Sequence, residues 1–432
     1  MRCDLLVTAR FLLPSPHEPV IENGALAITG DEIVDIGTAD ELLLNHQPSQ
    51  RLERPSGLII PGLINCHTHI PMVLFRGLAD DIPLKRWLEE YIFPREAKLT
   101  PEIIALGTEL ACAEMIRSGT TAFVDMYFHE DKMAETASKI GLRGWYGEGL
   151  LDFPSPSFPD GYQALEATIE MAEKWKNHPL VEIAVAPHTP YTCSRDLLLK
   201  AGEIAQNMDA LLLIHLSETA WEVQEIKSRF GKTPTEYLYN LGVLTEKTLA
   251  IHGVHLTESD INILAATGSS LCHCPESNLK LGSGICPVPE LLSAGVNLCI
   301  GTDGAASNND LDLFGEMDFA AKLPKGIHHD PAVVWAEQIL DMSTTAAARA
   351  LGRQDIGRLA KGCKADLAIL DLHRPGLTPC FNPVSQIVYT AKGADVSDLI
   401  VAGKILLERH ELTTIDQERL IHEIHQVVKG LV

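Results

Sequence analysis

The stretch Pro61-Gly62-Leu63-Ile64-Asn65-Cys66-His67-Thr68-His69 runs an apolar strand out into a His-x-His pair. Strand side chains alternate, so residues two apart share a face and both imidazoles point the same way. Imidazole suits zinc or ferrous iron. Alone the pair says little, because histidines also occur incidentally in strands. Its weight comes from what lies downstream. Leu211–Glu218 reads LLLIHLSE, an apolar strand ending in His215 with Glu218 three residues on. Leu249–His255 reads LAIHGVH and runs into His252, and Asn297–Gly304 reads NLCIGTDG and runs into Asp303. Four apolar strands thus end in residues of metal-ligand or acid–base type. A buried histidine satisfied by the backbone explains any one of them, but not the set.

From about Leu58 to Gly352, short apolar runs alternate with longer helical stretches, the signature of βαβ units. Eight strands are expected, at Leu58–Asn65, Thr120–Asp125, Leu142–Gly147, Val181–Ala186, Ala210–His215, Thr248–His252, Ser270–His273 and Val296–Thr302. The clearest helix between them is Pro101–Ser118, with Thr100 as N-cap, Pro101 at N1 and Gly119 as its stop. Eight such units predict an α/β fold, a closed (β/α)8 TIM-type barrel whose strand ends meet at one rim. An open doubly wound sheet accommodates the same strand count. The two ends of the chain read as strands: Leu5–Leu13, a hairpin over Gly24–Ile36 turning at Gly30-Asp31, Ala365–Leu370, and Leu399–Leu407 broken at Gly403-Lys404. They predict a small β-sandwich made from both termini, residues 1–57 and 359–432 with a C-terminal helix, beside a barrel over 58–358.

The bulk properties of the 432 residues agree with this layout. Hydrophobic residues make up 46% and charged residues 22%, enough apolar material for a barrel with a satellite domain. The formal net charge of -23 argues against nucleic-acid backbones and anionic membranes as partners. Arg10 interrupts the apolar start, and no run approaches the roughly 20 residues that span a bilayer. Ten cysteines without regular spacing read as reduced, mostly buried thiols, and the cytoplasm is the expected location.

The order His-x-His, His-x-x-Glu, His, Asp, with the approach PGLINCHTH and the later SNNDLDL at Ser307–Leu313, resembles the amidohydrolase superfamily and its adenosine-type deaminase branch. The resemblance covers essentially the whole chain. It implies one divalent metal ion per subunit held by His67, His69, His215 and Asp303, zinc favoured, with iron and manganese as alternatives. Two-metal members bridge their ions with a carboxylated lysine at the end of strand four. Here that strand ends AVAPHTP, which speaks for one metal, and the resemblance makes His188 a substrate contact. A bound metal lowers the pKa of water from 15.7 towards about 7. Asp303 is expected to take a proton from that water, His252 to orient the nucleophile, and Glu218 to serve as general acid and base for the leaving ammonia.

In the resembled branch, Trp87 and Glu96 occupy positions that contact the nucleoside: Trp87 would stack on a ring and Glu96 would accept from ribose hydroxyls. Their plain alternative is a tryptophan packing a surface helix and a solvated glutamate. Ser307 is placed against the base. Relatives that use S-adenosylhomocysteine hold its carboxylate with arginines after strand three. Gly144–Gly161 here has no Arg or Lys, but carries Glu148, Phe153 and Phe158. The expected substrate is therefore a small-molecule nucleoside, 5'-methylthioadenosine favoured and adenosine possible, with S-adenosylhomocysteine disfavoured. Guanine, pterin or triazine hydrolases of the same branch share the metal cradle, and a non-catalytic barrel scaffold is a reading of another kind. Barrels of this type self-associate, so a homo-oligomer is expected.

Other suggestive groups read as structural. Cys272-His273-Cys274 would place its two thiols on one strand face and the imidazole on the other, a poor chelate. His422 and His425 sit on an amphipathic C-terminal helix, and His328-His329 reads as a solvated pair in a loop. HExxH and the H-x-E…P-C-x-x-C pattern are both missing.

Overall fold

Strands β1 (Arg2–Leu12), β2 (Ile21–Thr29), β3 (Glu32–Thr38) and β4 (Gln47–Pro61) open the chain. The computed structural model describes residues 1–82 and 86–431. The expected hairpin joins β2 and β3 through Gly30, whose φ of 60° suits glycine and whose amide donates to Asp4 at 2.8 Å. There follow β5 (Leu63–Thr68), β6 (Thr120–Tyr127), β7 (Arg143–Leu150), β8 (Val181–Ile183), β9 (Ala186–Pro187), β10 (Leu212–Leu216), β11 (Thr248–His252), β12 (Ser270–His273) and β13 (Leu298–Ile300). The chain closes with β14 (Leu367–Asp371), β15 (Val396–Val401), β16 (Lys404–Glu408), β17 (Glu411–Leu412) and helix Gln417–Leu431.

The central strands form the barrel. Parallel ladders run β5-β6-β7-β8, with β9 also on β7, and β10-β11-β12-β13. Backbone bonds cross both seams between these ladders. Leu213 N donates to Val185 O and Val185 N to Leu211 O, each at 2.9 Å, and Asp303 N donates to His67 O at 3.0 Å. β8 and β9 are two halves of one interrupted strand. Ile64, Val124, Trp145, Ala184, Leu213 and Ile251 pack inside, and helices pack outside. Helix Pro101–Arg117 has the expected start, with Thr100 Oγ1 accepting from the Ile103 amide.

Both termini share one sheet, ordered β17-β16-β15-β14-β4-β1-β2-β3. It folds back on itself as a sandwich. Ile33 N donates to Cys363 O and Gly362 N to Ile33 O, closing over Leu5, Val7, Leu26, Ile28, Leu367 and Ile369.

The structure divides the strand expected at Leu58–Asn65. Leu58–Pro61 pairs with β14 in the terminal sheet, and the barrel strand starts at Leu63. Gly62 is the joint, since a Cβ there would stand 2.1 Å from Thr121 Oγ1. His328 ends helix Leu313–His328 and His329 caps it in the left-handed region, so the pair marks a helix end rather than a loop, exposed as expected. Cys272 and Cys274 do share a face, inside the barrel.

Arg143 on β7 locks the barrel to the terminal sheet. Its Nε lies 3.0 Å from Asp366 Oδ2, whose partner oxygen accepts from Ala402 N at 2.7 Å. Both side chains are 2% exposed. Removing one partner of such a pair strands a buried charge, so Asp366→Ala should lose about 3–5 kcal/mol. The denaturant midpoint measures this, and an unchanged midpoint would contradict it. No helix among the described residues is long and apolar enough to cross a membrane.

Candidate active site

β5 delivers His67 and His69 to the rim, with Thr68 between them turned the other way. Thr68 Oγ1 donates to Asp125 Oδ2 at 2.6 Å, and that same oxygen accepts from Ile70 N at 2.6 Å. This fixes the backbone on which both imidazoles ride. β10 delivers His215, and β11 ends on His252 at φ 74°. Asp303, at φ 62°, follows β13. Two non-glycine residues in the left-handed region at strand ends mark backbone held against its preference.

These side chains meet. His67 and His69 lie 3.5 and 3.2 Å (Nε2) from Asp303 Oδ1. The His67 ring centroid is 4.7 Å from that of His69 and 4.9 Å from that of His215. Outer contacts orient each group. His69 Nδ1 donates to the Met126 carbonyl and His215 Nδ1 to the His188 carbonyl, which leaves Nε2 of each free as a ligand. Asp303 accepts from Ser277 Oγ at 2.6 Å and Gly304 N at 2.7 Å. His252 Nδ1 faces Asn278 Oδ1 at 3.0 Å.

The donor set fits a divalent metal. His67 is wholly buried, and neither of its ring nitrogens has a hydrogen-bond partner, an orphan state that a cation would relieve. Two donor groups, His67–His69–Asp303 and His67–His215–His252, have their ligand atoms mutually within 4.8 Å. Burial pulls His67 down to about 4 and His215 well below the usual imidazole range, so both are neutral, as ligation requires. Burial also pulls on His69, but the hydrogen bond and charge of Asp303 outweigh it and raise this imidazole.

Glu218 follows His215 and stands beside the cluster, its Oε2 3.9 Å from His252 Nε2. Burial raises its carboxyl, with the charge of His252 opposing. Above lies a cleft of about 880 Å³, open to solvent. Trp87, Glu96, His188, Glu218, Asp303 and Ser307 all line it, so the structure brings together every substrate residue named from the sequence. Trp87 is 5% exposed and Glu96 6% exposed, against the plain surface readings. Glu96 accepts from Tyr127 Oη at 2.7 Å, and burial pushes its carboxyl up to about 7. His188 Nδ1 meets Thr192 Oγ1 at 3.0 Å. Ser307 donates to the Gly304 carbonyl.

Glu148 is a correction. It is buried away from the cleft, where its carboxylate accepts from the amides of His129 and Glu130. It does not line the cleft. Of its two neighbours, Phe153 lines the cleft and Phe158 packs against the main core. Phe153 thus gives a ligand apolar surface, as expected, and Glu148 does not face it. Sequence reasoning missed Tyr127, Tyr191, Ser277, Asn278 and Ser283, which reach the site from neighbouring strand ends.

The profile of the amidohydrolase family matches residues 58–406, the whole barrel and part of the terminal sheet. The chain belongs to the amidohydrolase family. This amidohydrolase is similar to the 5-methylthioadenosine/S-adenosylhomocysteine deaminase of Syntrophobacter fumaroxidans, 46% identical over 428 residues that cover 99% of this chain and 98% of that one. Its namesake from Pyrococcus furiosus is 42% identical and covers 95% of this chain and 100% of its own. Among solved structures, the zinc-bound adenosine deaminase from Xanthomonas campestris superposes with a TM-score of 0.98 at 38% identity, covering 100% of this chain and 99% of that one. The atrazine chlorohydrolase of Arthrobacter aurescens, at 23% identity and a TM-score of 0.91 over 98% of this chain and 100% of its own, shares the fold.

Proposed function

We propose that this amidohydrolase removes the amino group of an adenosine-type nucleoside by hydrolysis, giving the inosine analogue and ammonia. The observation that carries this reading is the junction of the His67–His69–His215–Asp303 cradle with Glu218 at the floor of a cleft walled by Trp87 and Glu96. His67, His69, His215 and Asp303 would hold one divalent cation, zinc in our reading, though iron and manganese suit the same donors. Bound there, it supplies Lewis-acid activation of water.

The chain's own residues do the rest. Asp303 accepts a proton from the attacking water, and His252 Nε2 orients that water by a hydrogen bond. The water oxygen bonds to the ring carbon that carries the amine. Glu218, its carboxyl raised by burial, protonates the adjacent ring nitrogen. It then takes the proton of the newly added hydroxyl as the carbonyl forms, which restores its acid form, while the proton held by Asp303 passes to the amine as the carbon–nitrogen bond breaks and ammonia leaves. Trp87 stacks on the base, His188 and Ser307 contact it, and Glu96 accepts from the ribose hydroxyls.

5'-Methylthioadenosine is the favoured substrate, with adenosine accepted. Leu88, Phe93, Leu151, Phe153 and Leu281 line the cleft and favour a thioether over the charged amino-acid tail of S-adenosylhomocysteine. Ten free cysteines, nine of them buried, support a reducing compartment such as the cytoplasm.

The ribose contact is testable on its own. Above pH 7, where the Glu96 carboxyl is ionised, hydrogen bonds to it are worth about 1.5–3 kcal/mol, so Glu96→Ala should raise KM for adenosine roughly 10- to 100-fold at pH 8. Steady-state kinetics on 2',3'-dideoxyadenosine should show almost no change between parent and variant. Equal losses on both substrates would remove Glu96 from the ribose.

A further inference from the structure

Helix Ala220–Phe230 opens on Thr219-Ala220-Trp221-Glu222, the spacing of a capping box, in which the glutamate reaches back to the amide of the capping residue. Other helices of this chain show that reach-back, for instance Glu41 on Thr38, Glu236 on Thr233 and Asp260 on Thr257. Here Thr219 performs its half, its hydroxyl accepting from the Glu222 amide at 3.1 Å. Glu222 does not return the bond. Its carboxylate passes Thr219 and takes the amides of Ser217 and Glu218 instead, each at 2.8 Å. The side chain is buried, the residue being 1% exposed.

The turn it holds is an unusual one. Ser217 stands at φ 51°, a conformation that L side chains avoid. The Ser217 carbonyl accepts from the amides of Val254 and His255, at 3.1 and 2.9 Å, in the turn that follows His252. One carboxylate therefore anchors the backbone from which Glu218 projects, and that backbone is bonded to the segment that carries His252. Ser283 Oγ, 3.4 Å from Glu218 Oε1, is the only side-chain hydrogen bond that the Glu218 carboxylate makes among the described residues. The aim of Glu218 thus depends on its backbone.

We propose that Glu222 is a positioning residue that acts through Glu218, its carboxylate clamping the Ser217–Glu218 amides so that the Glu218 carboxyl is held over the reacting ring. This rests on the assignment of Glu218 as proton donor.

The test is a double-mutant cycle on the full-length, zinc-loaded protein with adenosine, pairing Glu222→Ala or Glu222→Gln with Glu218→Gln. Glu222→Ala should lower kcat about 100-fold, the loss that a misplacement near 1 Å brings, with KM changed by less than about 3-fold. Zinc content should stay as in the parent, and hydrogen exchange at the Ser217 and Glu218 amides should quicken. Glu222→Gln keeps one acceptor oxygen and should fall between. In the Glu218→Gln background neither change should lower kcat further. An equal further loss in that background would overturn the proposal, as would parental kcat in both single variants or a parallel loss of zinc. If Glu222→Ala does not fold, Glu222→Gln carries the cycle by itself. A fully active Glu218→Gln would mark a different failure, that of the site assignment as well as of the clamp.

Discussion

Glu218→Gln is expected to lower kcat for adenosine roughly 10²- to 10⁴-fold, the share of rate that a positioned acid–base group supplies. The substitution keeps the shape of the side chain and one acceptor oxygen for Ser283, and it leaves His67, His69, His215 and Asp303 in place. Metal content should therefore match the parent. Burial holds the Glu218 carboxyl above its ordinary range, which suits a group that must carry a proton to a ring nitrogen near neutral pH. An amide can do neither half of that relay. Metal analysis with steady-state kinetics on one preparation separates the outcomes, and a variant with parental turnover would dismiss Glu218 as the acid.

His67→Ala should do more, abolishing turnover and metal retention together. Lewis-acid assistance is worth about 9 pKa units to an attacking water, a larger factor than any proton relay contributes. His67 is the donor common to both groups of close ligand atoms, so its loss breaks each of them. The protein should still fold, because the alanine replaces a ring that makes no hydrogen bond. Chelation of the parent, followed by return of zinc, should reproduce the loss and then reverse it. Metal bound stoichiometrically by His67→Ala would contradict the cradle as drawn.

Much of this site was legible in the sequence because it sits where apolar strands run out. His67, His69, His215, His252 and Asp303 each interrupt or follow a short hydrophobic run, and a parallel barrel brings such ends to one rim. Trp87 and Glu96 carried no such local mark, and only the family resemblance raised them above a surface helix. Ser277, Asn278 and Glu222 were out of reach because their roles are contacts across strand ends. The nearby Cys-His-Cys drew attention to sulfur, whereas the working groups lie just beyond it.

Two misreadings have plain causes. The run LIIPGLIN looks continuous, yet Pro61-Gly62 is a break signal, and the chain uses it to step from the terminal sheet into the barrel. Strand parity turns Glu148 away from the ligand. On β7, Trp145 points into the barrel and Tyr146 into the outer core, so Glu148, two residues beyond Tyr146, points outward too. There it accepts from amides at the start of helix Glu130–Ile140, a favourable place for a carboxylate.

The most direct test of the account is ammonia release by the zinc-loaded protein from 5'-methylthioadenosine, adenosine, S-adenosylhomocysteine, guanine and cytosine. Rapid release is expected from 5'-methylthioadenosine or adenosine, slower release from S-adenosylhomocysteine, and little from the free bases. Release from guanine or cytosine alone, or from none of the five by protein with a full complement of zinc, would contradict it.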